Sequence, residues 1–331
     1  MLASWYEKTG PAREVLRYGE LPEPEPNRGE VRVRVHASGV NPTDTKARTG
    51  RPGSTSLAHA RVIPHQDGAG VIDAVSAGVS PERIGERVWI YEAQWQRPWG
   101  TAAQYTTVPA ERAVPLPPGI DFAVGACLGI PAITAHHCLF GDGPISGKTV
   151  LVQGAAGAVG FYAAQLARLG GARVIATVGS AHQERLVRDA GIGQIVDRKR
   201  EEVKERVLRL TEGRGVDRIV EVALVANLDT SVAVLAPGGV VAAYASDGEP
   251  QPPPPLPFRQ LLWKNATIRT VLVYLVSAEA HAQAVRDITA HLSTGALKHS
   301  IARRLPLSQI ALAHEAMEAG HLNGKVIVDV P

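Results

Sequence analysis

The segment Lys148-Thr-Val-Leu-Val-Gln-Gly-Ala-Ala-Gly-Ala-Val-Gly160 joins a short apolar run to a cluster of glycines. Its first part, Thr149–Gln153, is rich in β-branched residues and has the length of one buried strand. The pattern then predicts a helix over Phe161–Leu169, closed by two glycines, and a second buried strand over Arg173–Val178. Strand, glycine turn, helix and strand predict one βαβ unit with a right-handed crossover.

The glycine turn resembles the dinucleotide fingerprint G-x-G-x-x-G, although Ala155 takes the place of the first glycine. A side chain at Gly157 would keep a pyrophosphate away from the backbone, and one at Gly160 would push the helix off the strand. The helix N-terminus would offer free N–H groups to the phosphates. The alternative is a turn that only packs a helix on a sheet. The predicted cofactor contacts here are Gly154, Ala156, Gly157, Ala158, Val159 and Gly160.

The composition is that of an ordinary globular protein. The chain has 331 residues, enough for about two domains. Its 35 basic and 32 acidic residues leave a net charge of +3, which gives no reason to propose nucleic-acid or membrane binding. We expect a cytoplasmic protein for three reasons. The two cysteines form no C-x-x-C motif, the first residues lack the apolar core of a signal peptide, and no uncharged run reaches the ~18 residues of a membrane span.

The chain divides by pattern into two kinds of segment. Residues 1–122 contain short alternating runs such as Glu30–His36, which predict a small antiparallel β domain. From 123 to 265 strands and helices alternate, which predicts a doubly wound parallel sheet. We assign 266–331 to the β domain with 1–122, because Ile301–Leu305 and the run at 325–330 are predicted strands that return to it.

Four motifs follow one another along the chain: Gly39-Val-Asn-Pro-Thr-Asp44, Asp67-Gly-Ala-Gly-Val71, Gly129-Ile-Pro-Ala-Ile-Thr-Ala135 and the glycine turn. Together they resemble the medium-chain dehydrogenase/reductase superfamily, and most of all its zinc-free quinone oxidoreductases, the ζ-crystallin group. The resemblance covers essentially the whole chain. It implies an α/β fold, with a Rossmann domain and a GroES-like, mostly antiparallel β domain. It also implies NADPH-dependent reduction of quinones or related conjugated carbonyls, and a homodimer that pairs through the run Ala266–Val276.

The same register places three residues where zinc-dependent members of the superfamily carry metal ligands. These positions hold Asn41, Gln66 and Ile130. Zinc is bound by thiolate, imidazole or carboxylate, so two amides and an isoleucine predict no metal. The neighbouring His65 is expected to be packed or hydrogen-bonded. By their match to family positions, Asn41, Gln66 and Thr134 are the predicted catalytic residues, with Asn41 and Gln66 donating hydrogen bonds to an acceptor oxygen.

The end of the second predicted strand indicates which nicotinamide cofactor binds. NAD-binding folds usually place an acid there, ~20 residues past the glycines, to bind the ribose 2′-OH. Here the strand ends in Thr177-Val-Gly-Ser180, and the first acid is Glu184 in the next helix. The missing acid favours NADPH over NADH, and Arg is well suited to a 2′-phosphate. The predicted contacts are Gly179, Ser180, Arg185 and Arg198; the alternative is that these arginines only solvate helix faces.

Further cofactor contacts are expected nearer the C-terminus. Ala245 lies at the carboxyl end of the predicted strand Val240–Ser246, the end at which such sheets bind ligands. The resemblance adds Val271, Val273, Asn323 and Lys325, although Lys325 could instead be a solvated lysine in a turn.

Three other functions remain open on this fold. They are an enoyl or 2-alkenal double-bond reductase, an enzyme for one biosynthetic intermediate, and a non-catalytic NADPH-binding protein. No proton donor is evident. A loop arginine, Arg51, hints at a polar or anionic substrate, and the proline run Glu249–Pro257 is predicted to be a stiff surface loop that could flank the substrate mouth.

Overall fold

The computed structural model describes residues 1–50, 57–246, 255–320 and 322–331. Arg51 and most of the proline run Glu249–Pro257 therefore lie outside the described residues. The strands, in chain order, are β1 (Leu2–Trp5), β2 (Arg17–Glu20), β3 (Glu30–Val40), β4 (Asp67–Val75), β5 (Arg87–Ile90), β6 (Tyr105–Pro109), β7 (Ala113–Pro115), β8 (Thr149–Val152), β9 (Arg173–Val178), β10 (Gln194–Asp197), β11 (Val216–Glu221), β12 (Leu235–Ala243), β13 (Thr267–Thr270), β14 (Ile301–Pro306) and β15 (Lys325–Asp329).

The helices are α1 (Ala12–Val15), α2 (Pro42–Thr49), α3 (Phe122–Gly125), α4 (Gly129–Phe140), α5 (Ala158–Leu169), α6 (Ala181–Asp189), α7 (Val203–Leu210), α8 (Leu224–Val234), α9 (Phe258–Trp263), α10 (Ala278–Ser293) and α11 (Ile310–Glu318). Short 3₁₀ turns occupy Pro81–Arg83, Ala110–Arg112, Val273–Leu275 and Leu307–Gln309. In the described part of the chain, no helix is both long and apolar enough to cross a membrane.

The chain folds into two units. The second unit comprises Pro131–Ile288 and Gly295–Lys298. Its sheet is parallel throughout, in the order β10-β9-β8-β11-β12-β13. The central strand β8 is buried along its whole length, as expected where helices cover both faces. Each of five strands contributes a fully buried apolar side chain to one core: Leu151, Ile175, Val196, Ile219 and Val241. The predicted doubly wound sheet is confirmed.

The first unit comprises Met1–Ile130, Thr289–Thr294 and His299–Pro331. Its main sheet has the order β14-β15-β3-β4-β5-β7, with β6 also paired to β3, and only β14 and β15 run parallel. Alternate valines of β3 are buried, and they pack with β4, β5 and β6. The predicted mostly antiparallel β domain is therefore confirmed as well.

The boundary between the units differs from the one inferred from sequence. Residues 266–288 belong to the second unit, because β13 pairs in parallel with β12, with Val240 opposite Thr267. Residues 123–130 belong to the first unit, because α3 packs so closely on its sheet that a Cβ on Gly125 would lie 2.7 Å from the Cβ of Ala69. The units therefore differ from the predicted domains at 123–130, 266–288 and 295–298, because a hydrophobic pattern does not specify the sheet that a segment joins.

Two elements also have different bounds. The helix after the glycine turn begins at Ala158, so it includes Val159 and Gly160 rather than starting at Phe161. The β-branched run Ala266–Val276 is extended only over Thr267–Thr270 and then forms a 3₁₀ turn, in which the Leu275 N–H donates to the Leu272 carbonyl.

Candidate functional site

The glycine turn lies between β8 and α5 as predicted. Gly154 has a positive φ of 66°, and its N–H donates to the Thr177 hydroxyl at 3.0 Å. A Cβ on Gly160 would lie 2.3 Å from the Gly154 carbonyl oxygen, so the tight approach of helix to strand requires glycine there. A Cβ on Gly157 would meet only that same oxygen, at 3.3 Å. The turn and the N-terminus of a 12-residue helix therefore have the form of a pyrophosphate cradle.

Two cavities lie at the carboxyl edge of the parallel sheet, inside the second unit. The smaller, of about 290 Å³, is lined by Thr177 in β9 and by residues that follow β8, β10 and β11, among them Gly154 and Arg198. The larger, of about 640 Å³, is lined by residues that follow β12 and β13, among them Ala245 and Val271. Ligands of open parallel sheets bind at this edge. The two cavities therefore lie where open parallel sheets bind their ligands.

Arg198 directly follows β10 and lies beside the end of β9, where NAD-binding folds usually carry an acid. Its backbone N–H donates to the Val178 carbonyl, and a Cβ on Gly179 would lie 3.2 Å from its Nη2 atom. Ser180 caps α6, with its hydroxyl accepting from the Gln183 N–H. Arg185 is exposed on α6. Neither arginine has an ion-pair partner among the residues that the structure describes.

Asn41 belongs to a buried polar cluster in the first unit. The Lys325 ammonium donates to Asn41 Oδ1 at 2.5 Å and to Asp67 Oδ2 at 2.6 Å. Asn41 Nδ2 donates to the same carboxylate oxygen at 2.8 Å, while the Ile130 N–H donates to Asp67 Oδ1 at 2.8 Å. All three cluster side chains are at most 2% exposed. The ion pair therefore lies in a dry environment, where its hydrogen bonds are strong and breaking it is costly.

Two motif glycines make room for this cluster. A Cβ on Gly39 would lie 2.1 Å from the Ala126 carbonyl oxygen and 2.7 Å from Lys325 Cε. A Cβ on Gly129 would lie 2.2 Å from Asp67 Oδ1. Any larger residue at either position would displace the lysine or the carboxylate. The glycines of both motifs are thus explained by the buried ion pair beside Asn41.

Asp44 adds a second carboxyl group beside the cluster. Its Oδ2 accepts from the Asn41 N–H at 2.7 Å and closes a capping box on α2. Burial raises the pKa of Asp44 to about 8, and repulsion by Asp67 acts in the same direction. Because one lysine faces two buried carboxyl groups, Asp44 holds a proton at neutral pH.

Gln66 and Thr134, the other predicted catalytic residues, lie in different units. Gln66 is buried, its Nε2 donates to Gln94 Oε1 at 3.0 Å, and its Oε1 accepts from the Gln94 N–H at 3.1 Å. Thr134 is buried on α4 in the second unit. Gln66 thus keeps one amide hydrogen for another acceptor.

A chain of buried side chains ends at the backbone of Asp67. Arg48 Nε donates to His314 Nδ1 at 3.3 Å, and the Nε2 atoms of His314 and His65 are 2.9 Å apart. His65 Nδ1 lies 2.7 Å from Ser38 Oγ. The Ser38 hydroxyl lies 2.7 Å from the Thr101 hydroxyl. The Thr101 hydroxyl in turn donates to the Asp67 carbonyl at 2.5 Å. The expectation that His65 is hydrogen-bonded is met, and the chain holds it at a positive φ of 81°.

The site residues expected near the C-terminus are placed as follows. Val273 is buried in the 3₁₀ turn after β13. The Asn323 carbonyl accepts from the Ser300 hydroxyl at 2.8 Å, in the first unit. Lys325 is buried in the Asn41 cluster and is not a solvated turn lysine. Sequence reasoning missed Asp67, Asp44 and His314 as site residues, although an acid at the start of the predicted family motif Asp67–Val71 was a signal for Asp67.

The residues at the zinc-ligand positions do not fit zinc. The Lys325 ammonium already occupies the oxygen of Asn41 that a metal would use, and Ile130 has no donor side chain. In the described ranges, no three His, Cys, Asp or Glu side chains are grouped closely enough to hold a metal ion. The cluster therefore presents a carboxamide N–H at this position.

Known proteins resemble this chain along nearly its whole length. Residues 27–118 match the family described as alcohol dehydrogenase GroES-like domain, and residues 158–290 match the family described as zinc-binding dehydrogenase. A quinone oxidoreductase of Pongo abelii is 31% identical over 98% of this chain and 95% of its own length. One of Pseudomonas aeruginosa is 29% identical over 95% of both chains. The chain belongs to the quinone oxidoreductases of the medium-chain dehydrogenase/reductase superfamily.

Solved structures agree with this membership. A mycobacterial protein crystallised with NADPH superposes with a TM-score of 0.86 at 27% identity and covers 99% of this chain. A structure described as an NAD-dependent alcohol dehydrogenase superposes with a TM-score of 0.88 at 28% identity, and both chains are covered completely. This quinone oxidoreductase homologue is therefore an oxidoreductase that uses a nicotinamide cofactor and acts on a small-molecule substrate.

Proposed function

We propose that this protein uses NADPH to reduce quinones or related conjugated carbonyls, without zinc. The observation that carries the proposal is the Asn41 cluster. At the position of the first zinc ligand there is a carboxamide, whose oxygen is held by Lys325 and whose nitrogen faces Asp67. Such a group can donate a hydrogen bond to an acceptor oxygen, but it cannot replace a thiolate as a metal ligand.

The cofactor assignment rests on the carboxyl edge of the parallel sheet. A 2′-phosphate would be repelled by an acid at the end of β9, and the residues there are Val178, Gly179 and Ser180. The Arg198 guanidinium lies against Gly179 and has the charge and fork geometry that bind phosphate. These features favour NADPH over NADH. The relative crystallised with NADPH supports the same choice.

When bound, the nicotinamide supplies hydride, and the chain contributes position and electrostatics. Negative charge develops on the carbonyl oxygen of an acceptor as it is reduced, and a preoriented amide N–H stabilises that charge. Asn41 is proposed for this role, with Gln66 as a second donor and Thr134 on the second unit. A quinone spreads charge over its ring, so it needs less electrophilic assistance than an aldehyde does. Water supplies the proton.

The first experiment measures NADPH consumption by metal-free protein with a small para-quinone and, in parallel, a 2-alkenal. We expect quinone-dependent turnover that a chelator leaves unchanged and that Asn41→Ala lowers. Turnover with the alkenal alone would reassign the protein as a double-bond reductase. Tight NADPH binding without turnover of either acceptor would favour a non-catalytic role or a dedicated substrate.

We further propose a homodimer formed through β13. In the described part of the sheet this strand pairs only with β12, so its outer edge is open. Large apolar side chains lie near it: Leu262 and Trp263 on α9 are 64% and 82% exposed, and Leu275 is 74% exposed. A second copy would cover both the open edge and the apolar side chains. Sedimentation equilibrium of the wild type and of Trp263→Glu tests this, since a monomeric wild type would contradict it.

A cytoplasmic location remains part of the proposal. Both cysteines are free and buried, and burial raises the pKa of each thiol to about 12. This pattern is compatible with a reducing compartment. Cell fractionation with an antibody to the native protein tests the location.

A further inference from the structure

We propose that Lys325 is a positioning residue that fixes the amide of Asn41 in the orientation needed to assist reduction. The inference rests on the proposed function, because it assigns a role to Asn41 in that reaction. It differs from a cofactor contact, which is the role that the sequence suggested for Lys325. Lys325 is only 2% exposed, and its ammonium donates to Asn41 and Asp67 within the first unit.

The chemistry of the three groups settles the orientation of the amide. An ammonium only donates and a carboxylate only accepts. The atom of Asn41 that faces Lys325 must therefore be Oδ1, and the atom that faces Asp67 must be Nδ2. A flipped amide would direct its NH₂ at the ammonium and its oxygen at the carboxylate, so both contacts would become repulsive.

This arrangement leaves one donor available. Asn41 Nδ2 carries two hydrogens, and one of them is donated to Asp67 Oδ2. The second hydrogen is not used by the contact with Asp67, and an acceptor oxygen can take it. A fixed N–H costs little reorganisation when negative charge appears on an acceptor oxygen, whereas a freely rotating amide would have to be ordered first. Lys325 and Asp67 together therefore prepare the donor.

The surroundings show that the lysine is built into the site. Its stem passes over Gly39, where a Cβ would lie 2.7 Å from Lys325 Cε. Asp67, its counterion, is held in turn by the Ile130 N–H and is completely buried. Asn41 is thus held between the Lys325 ammonium, which can only donate a hydrogen bond, and the Asp67 carboxylate, which can only accept one.

A double-mutant cycle on kcat/KM for the acceptor tests the proposal. Lys325→Met should lower kcat/KM at least about tenfold, and at most by the roughly 10²–10³-fold that loss of a donor costs. In the Asn41→Ala background the same substitution should change kcat/KM less than about twofold, because the group through which it acts is gone. The Kd for NADPH should stay unchanged in every variant. Equal losses in both backgrounds, or a raised Kd for NADPH with normal acceptor kinetics, would overturn the proposal.

A second measurement does not depend on turnover or on the stability of one variant. The chain has five asparagines, Asn27, Asn41, Asn227, Asn265 and Asn323, so ¹⁵N-asparagine labelling gives few side-chain amide signals, and Asn41→Ala assigns the relevant pair. We expect one slowly exchanging, strongly shifted Nδ2 proton in the wild type. Lys325→Met should abolish that shift. So should Asp67→Asn/Lys325→Met, in which no buried charge is left unpaired.

The matched control is Lys264→Met. The Lys264 ammonium donates to three backbone carbonyls in the second unit, including that of Val232 at 2.7 Å, so this variant also removes a bonded lysine but should leave the Asn41 signal unchanged. If Lys325→Met also leaves that signal unchanged, the positioning role is wrong. If the wild type reduces neither acceptor, the proposed function fails, while the amide signals still decide the role of Lys325.

Discussion

His65 and His314 join their imidazole rings directly, with the two Nε2 atoms 2.9 Å apart inside the first unit. Both rings are neutral. Burial lowers the pKa of His65 well below its usual value, and burial with the nearby Arg48 charge lowers the pKa of His314 to about 3. The direction of each hydrogen bond in the chain then follows from its two ends. Arg48 Nε can only donate to His314, so His314 carries its proton on Nε2 and donates to His65, which in turn donates to Ser38.

The first prediction concerns acid stability. A histidine whose pKa is lowered in the folded state stabilises the fold above its unfolded pKa of about 6.5 and loses that contribution as the pH falls toward the folded pKa. Between about pH 6.5 and pH 3 we expect His314 to contribute a decline of roughly 1.4 kcal/mol per pH unit in the free energy of unfolding. Urea denaturation of His314→Gln should therefore show a shallower decline than the wild type. The exposed variant His182→Gln should keep the wild-type slope, and equal slopes for all three proteins would refute the neutral pair.

The second prediction concerns Asp44, whose raised pKa acts in the opposite direction. A folded protein that holds this proton up to about pH 8 loses stability as the pH rises from about 4, the unfolded value, to about 8. Asp44→Asn keeps an oxygen for the Asn41 N–H but cannot ionise. Relative to the wild type, the free energy of unfolding of this variant should rise by roughly 1.4 kcal/mol per pH unit across that window. If the two free energies of unfolding differed by the same amount at every pH in this window, Asp44 would be ionised in the folded protein.

The third prediction concerns the room around the ion pair. Gly129→Ala would bring a Cβ to 2.2 Å from Asp67 Oδ1. The Ile130 N–H holds that oxygen, and Lys325 holds the other oxygen of the same carboxylate. We expect a loss of about 1–3 kcal/mol or more in the free energy of unfolding. Gly193→Ala is the control, since no atom lies within 4 Å of a Cβ at that position. Equal stability of the two variants would mean that Asp67 and Lys325 move to accommodate the added methyl group without a cost in stability.

The fourth prediction concerns cofactor choice. Arg198→Ala should raise the Kd for NADPH about tenfold or more, the equivalent of one lost charge-assisted contact, and should leave the Kd for NADH unchanged. The matched control is Arg200→Ala, an exposed arginine 3.6 Å from Asp197 on the same segment. Fluorescence titration with both cofactors provides the measurement. A similar loss for NADH would mean that Arg198 does not contact a 2′-phosphate.

Local patterns were sufficient for much of the fold. The alternation of β3 and the βαβ pattern around Gly157 appear in the structure at nearly the expected bounds, because strand and helix periodicities are local properties. Segments 123–130 and 266–288 lie in the unit other than the predicted one. Both are apolar segments that suit either unit, and only β-sheet pairing and helix packing select one.

The candidate site shows the same division. Sequence alone showed that no acid follows β9, and it predicted that Gly160 must lack a side chain and that Asn41 stands at a metal-ligand position of the superfamily, because each depends on one motif and its register. Only the tertiary structure brought Lys325 to Asn41, and His314 to His65, across 284 and 249 residues of chain. The physical reason is that a buried charge or ring nitrogen must find a partner when it leaves water. Which partner it finds depends on the strands and helices that fold beside it, and no local pattern encodes that choice.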